Sequence, residues 1–66
     1  MTFITVHEMD LGEIRLNAEM IVMLVSMEDV EDPEVSKGAK AVIVTTTNDR
    51  LYVEETVGEI VDMIIV

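Results

Sequence analysis

The chain has no cysteine and no tryptophan, a single proline, three glycines and two aromatic residues, Phe3 and Tyr52. Without cysteine, disulfide staples and thiolate metal sites are excluded. With so few aromatics, the core must be built from Val, Ile, Leu and the six methionines, which fill irregular gaps. No glycine-rich phosphate loop and no Ser/His/Asp set is present. Cations are scarce as well: Arg15, Lys37, Lys40 and Arg50 face fourteen carboxylates, for a net charge of −10. Nucleic-acid binding depends on Lys and Arg neutralising phosphates, so nucleic acid is excluded as a partner, and so are anionic membrane surfaces. No apolar run approaches the ~20 residues that span a bilayer. Met1–Val6 lacks a basic region followed by a signal-type apolar run. The chain therefore reads as cytoplasmic, or as part of a soluble assembly, without membrane insertion.

Against these absences stands a large apolar fraction: half of the 66 residues are hydrophobic. A length of 66 allows one domain, spanning 1–66. A chain of this size buries only about 60% of its unfolded surface, so it is marginal as a monomer. Small domains gain stability from disulfides, metals or oligomerisation. Oligomerisation is the most natural of the three here. The acidity keeps an apolar small protein dispersed, and it also suits a protein partner with a basic patch.

The expected organisation centres on Ile21–Met27, which carries no charge and is apolar on both alternating faces. Ile21, Met23, Val25 and Met27 would face one way, and Val22, Leu24 and Ser26 the other. A strand with two apolar faces is usually covered on both. This one is expected to be the central strand, with a helix on one face and another subunit on the other. Before it, Phe3–Met9 alternates, with Ile4 and Val6 on one side and Phe3, Thr5 and His7 on the other. Asp10-Leu11-Gly12 reads as a turn, Gly12 accepting positive φ. Glu13–Leu16 alternates again, Ile14 and Leu16 inward, to complete a hairpin. Asn17 is suited to cap a single helical turn or tight bend.

Glu28–Lys40 is an acidic connection carrying Glu28, Asp29, Glu31, Asp32 and Glu34. Asp32-Pro33-Glu34 has the form of an N-cap, an N1 proline and an acidic first turn, with Gly38 placed to end it. A short helical turn over Pro33–Lys37 and a plain exposed loop are both compatible with it. Ala41–Thr47 is rich in β-branched residues and reads as a strand. Asn48-Asp49 suits a tight two-residue hairpin, and Arg50–Val53 returns with Leu51 and Val53 on one face and Arg50 and Tyr52 on the other. Thr56-Val57-Gly58-Glu59 fits a capping box. Val57, Ile60, Val61, Ile64 and Ile65 follow at helical spacing and form the expected helix-packing stripe. The fold class is α+β: a small antiparallel sheet or partly open barrel of about five strands in ββ-β-ββ order, with one C-terminal α-helix.

Several segments resemble the FlbD/SwrD family of small flagellar and swarming-motility proteins. They are Leu11-Gly12-Glu13 after the first strand, Leu16-Asn17-Ala18-Glu19-Met20-Ile21, the hairpin Thr47-Asn48-Asp49-Arg50, and Tyr52-Val53-Glu54-Glu55-Thr56-Val57-Gly58-Glu59-Ile60. The resemblance covers nearly the whole chain. It departs at Glu28–Lys40, longer than the Pro-Asp-Thr-type turn of the family, and at Asp49, where the family hairpin has Gly. It implies a non-enzymatic accessory role near the flagellar motor and supplies no catalytic residues. A phage or other small assembly protein with the same ββ-β-ββα order would present the same features.

The remaining chemistry is sparse. His7, Glu8 and Asp10 are metal-ligating residue types, but adjacent strand residues point to opposite faces, which leaves a lone surface or half-buried histidine as the better reading. The acidic run Glu28–Glu34 lacks the spacing of a calcium loop and reads as a solvated charge run. No catalytic, cofactor-binding or metal site is expected, and the chain is not read as an enzyme. Two function classes remain. One is a homo-oligomeric interaction or assembly protein, a dimer or small ring, whose candidate interface is Ile21, Val22, Met23, Leu24, Val25, Val42 and Val44. The other is an acidic mimic that occupies a site normally used by nucleic acid.

Overall fold

Alternating apolar residues dictate strands with one inward face, and the strands assemble into a single antiparallel sheet. In the computed structural model, which describes residues 2–28, 30, 32, 34 and 38–65, they are β1 (Phe3–Glu8), β2 (Gly12–Asn17), β3 (Ile21–Ser26), β4 (Ala41–Thr45) and β5 (Arg50–Val53), followed by the helix α1 (Val57–Ile65). The five strands lie in the order β2-β1-β5-β4-β3, giving the α+β fold expected from the sequence. A 3-10 turn, Ala18–Met20, links the two edge strands β2 and β3 directly. Its ends are tied down: Ala18 N–H donates to Thr2 O at 2.7 Å, and Thr46 N–H donates to Met20 O at 2.8 Å. The open sheet is thereby curled so that its two edges meet at one end.

Local signals behave largely as their chemistry requires. Gly12 takes φ +81° in the β1–β2 turn, a conformation that costs other residues a Cβ clash. Asn17 Oδ1 accepts the Glu19 N–H at 3.0 Å and caps the 3-10 turn. The capping box at α1 is closed in both directions: Glu59 N–H donates to Thr56 Oγ1 and Thr56 N–H donates to Glu59 Oε1, each at 3.1 Å. Asp32 Oδ1 accepts the Glu34 N–H at 3.0 Å, the expected cap contact. The rest of that expected turn, Pro33, Val35, Ser36 and Lys37, lies outside the described residues.

The β4–β5 hairpin differs from the expected two-residue turn. Val44 pairs with Arg50, and Thr45 N–H donates to Asp49 O at 3.0 Å, leaving Thr46, Thr47 and Asn48 as the loop. Asn48 alone takes positive φ, 67°, as in three-residue hairpins with an αL residue. Thr47 Oγ1 donates to Asp49 Oδ2 at 2.8 Å, so the threonines expected at the strand end serve the turn instead.

The expected central strand is an edge. β3 has β4 on one side and no strand on the other, while the middle of the sheet is β5. A bulge between Ile21 and Met23 breaks its alternation: Ile21 pairs with Thr45, but Met23 pairs with Val44. An extra residue in one strand shifts the facing of everything before it. Ile21 and Leu24 consequently both pack toward the core, which a strict alternation from Ile21 does not allow. The apparent two-sided apolarity of β3 is thus a bulged strand with one buried face and one exposed face.

The core lies between the sheet and α1. Ile4, Val6, Ala41, Ile43, Val53 and Ile60 form its buried centre, with Ile14, Leu16, Leu24, Leu51, Val57, Met63 and Ile64 packed around it. Ile60 is fully buried. Removing its side chain to Ala should cost about 2–5 kcal/mol, and the core of a domain this small supplies only about 3–5 kcal/mol. Ile60→Glu, which also buries an unpaired charge, should therefore leave the chain unfolded at room temperature by circular dichroism. A wild-type melting curve for that variant would mean that α1 is not docked.

Candidate interaction surface

Large apolar residues outside the core occur at Phe3, Leu11, Val61 and Ile65, and three more lie on the single strand β3. Val22 is 62% exposed, Met23 53% and Val25 39%. Cross-strand register places Met23 beside Val44 and Arg50, and Val25 beside Val42 and Tyr52, on the sheet face away from α1. β3 carries no charged residue, whereas the opposite edge strand, β2, carries Glu13 and Arg15. Arg15 sits 5.8 Å over the Phe3 ring, a cation–π contact, and the two line a shallow cleft of about 160 Å³. That is below the ~300 Å³ of an ordinary small-molecule pocket.

Of the candidate interface residues, Val22, Met23 and Val25 are presented to solvent and Val44 is half-buried. Ile21 and Leu24 already pack against the chain's own core. Val42, expected to lack cover, is only 6% exposed although it lies on the face away from α1. The end of the long connection reaches this region: Ala39 and Met27 are buried, and a Cβ placed on Gly38 would lie 3.7 Å from the Met9 methyl. The helix stripe is rotated from its expected centre. Val57, Ile60 and Ile64 pack inward, but Val61 lies at the margin and Ile65 is 74% exposed. Met63, missed in the expected stripe, packs in their place. Its spacing of i+3 from Ile60 is the signal that finds it.

The polar residues that organise this half of the molecule lie where β1 meets β5. Glu8 falls on the same strand face as Ile4 and Val6 and is buried. Its carboxylate accepts the Asp10 N–H at 2.7 and 3.1 Å and the Leu11 N–H at 3.4 Å, and so holds the β1–β2 turn. Strand alternation alone puts a carboxylate there. His7, on the other face, donates its backbone N–H to Glu55 Oε1 at 2.8 Å, while its Nδ1 lies 2.6 Å from Glu55 Oε2 and its Nε2 3.7 Å from Glu13 Oε1. The two carboxylates address opposite ring nitrogens and so do not converge on one point, as metal ligands would have to. They favour the imidazolium, which donates from both nitrogens.

No family model matches this chain, and neither does any curated protein or any solved structure. Among the described residues, no helix is long and apolar enough to cross a membrane.

The His7 contacts give the fold a pH dependence. The hydrogen bond to Glu55 outweighs desolvation, which opposes it, and with charge attraction from Glu55, Glu13 and Glu54 raises the His7 pKa above its usual value. For Glu55, burial pushes the carboxyl up, but the His7 ring and backbone N–H outweigh it and leave the pKa lowered. A raised histidine stabilises the folded state fully below its unfolded pKa of about 6.5 and loses that contribution as pH rises through the folded value. The lowered Glu55 contributes above its unfolded pKa and is lost as pH falls through its folded value. The window common to both runs from the folded pKa of Glu55 up to that of His7. Thermal melts from pH 6 to pH 9 should show the wild-type midpoint falling with pH. His7→Asn should flatten that slope, since His7 is the only histidine. Equal slopes for the two proteins would mean the contact does not form.

Proposed function

We propose that this chain is a small, non-enzymatic interaction or assembly protein that acts in the cytoplasm as a homo-oligomer. The observation that carries this reading is β3: an edge strand with exposed Val22, Met23 and Val25 and no charged residue, in a chain of net charge −10. Edge strands are natural templates for pairing, and proteins usually blunt them with charge. Carboxylates elsewhere occupy the turns, the helix and the connections, among them Asp10, Glu19, Glu28, Asp49, Glu54, Glu59 and Asp62. That spread supports assembly through an apolar surface over mimicry of a phosphate stripe. The remaining acidic surface suits a second protein partner with a basic patch. The resemblance to the FlbD/SwrD family favours an accessory role in flagellar motility, and a phage or other assembly protein is the alternative setting. Affinity purification from the native host separates these two by the components it recovers.

Association is tested by sedimentation equilibrium at micromolar concentration. Net charge repels the copies, so the oligomer should tighten from low to physiological salt as screening rises. A monomer at both salts that binds no hydrophobic dye would overturn the assembly reading.

A further inference from the structure

We infer that two copies of the chain pair edge to edge through β3, antiparallel, about a two-fold axis at Leu24, so that their sheets join into one. This rests on the assembly reading above and names its partner and register. The backbone supplies the first argument. Met27 N–H donates to Lys40 O at 2.9 Å, in line with the Ser26–Ala41 and Val25–Val42 register. Antiparallel partners alternate between pairs that exchange both bonds and pairs that exchange none. Val25 and Met23 therefore bond toward β4, and the N–H and C=O of Leu24 and Ser26 point to the open edge. A second Leu24 placed opposite the first satisfies both of its groups.

Charge supplies the second argument. Copies of a −10 chain repel, and β3 is the one edge at which they can approach without bringing charged strand residues together. The β2 edge carries Glu13 and Arg15. Pairing β2 of one copy with β3 of another would be head-to-tail and would close only if its rotation generates a ring, whereas β3 on β3 closes with two copies. The side chains supply the third. The bulge at Val22 limits regular pairing to Met23–Ser26. With Leu24 on the axis, Met23 lies opposite the second copy's Val25, and both of these exposed residues come together on the face away from α1. Leu24 meets its counterpart on the core side.

The register makes this testable. Met23→Lys/Val25→Lys places like charges directly opposite one another in both symmetric pairs, and should weaken dimerisation on the order of tenfold or more in sedimentation equilibrium. Met23→Lys/Val25→Glu restores opposite charges in those same pairs and should recover the dimer. Circular dichroism of both variants should match wild type, since the replaced side chains are exposed. A second measurement uses the absence of native cysteine. Met23→Cys mixed with Val25→Cys should oxidise to a disulfide-linked dimer, because facing residues of this kind are about 4.5 Å apart at Cα. Neither variant alone should cross-link, its own copies being beyond the ~7 Å limit. An oligomer that survives the double lysine would overturn pairing through β3 and leave the assembly reading standing. Loss of the dimer in both charge variants, or cross-linking by a single cysteine variant alone, would overturn the Leu24 register. A monomeric wild-type chain would overturn both readings.

Discussion

Burial of Ile60 against the concave face of the sheet holds together two units that backbone bonding joins only at a narrow seam. β1 and β2 form one hairpin, and β3, β4 and β5 form the other unit. Between them, β1 and β5 share the single register pair Glu8–Val53, flanked by Met9 N–H to Tyr52 O and Glu54 N–H to His7 O, each at 2.9 Å. A seam of so few bonds contributes little, since each net hydrogen bond is worth only about 1 kcal/mol. The core crosses it: Ile4 and Val6 come from one unit, Ala41, Ile43 and Val53 from the other, and Ile60 from the helix that covers both. An isolated helix of nine residues is marginal in water, so sheet and helix each depend on the other.

The polar groups at the seam follow from the same geometry. Glu8 cannot reach solvent from the core face of β1, and its oxygens are satisfied by the turn that immediately follows it. A buried carboxylate is tolerated where backbone N–H groups bond it. His7, one residue earlier and on the opposite face, clasps Glu55 at the entrance to α1 through both its backbone and its ring. Contacts to one short strand thus fix the first hairpin, the end of β5 and the start of the helix.

The two edges of the sheet are treated differently. β2 carries alternating charge and a cation–π contact between Arg15 and Phe3. β3 carries none and has only the Val22 bulge to limit its pairing. In a chain too short to bury all its apolar surface, part of the surplus, Val22, Met23 and Val25, falls on this one uncharged strand, the rest lying at Phe3, Leu11, Val61 and Ile65. An uncharged edge strand with three exposed apolar side chains supports reading β3 as the place where the chain meets another copy of itself.

Local residue pattern dictates the elements and most of their facings. Alternation in β1, β2 and β5, the Gly12 turn, the Asn17 cap and the Thr56–Glu59 box are local relations, read within a few residues, and they stand in the fold. The apolar character of Val22, Met23 and Val25 was legible as well. Whatever depends on residues distant in the chain is set by packing instead. The bulge in β3 arises from its register with β4, and it moved Ile21 and Leu24 into the core while leaving Met23 outside. Strand order put β3 at the edge and β5 in the middle, because β5 returns to pair with β1. The rotation of α1 about its axis, which puts Met63 against the core in place of Val61 and Ile65, is set by its docking on the sheet. The pairing of His7 with Glu55 spans most of the chain, and no periodicity in one segment records a partner in another.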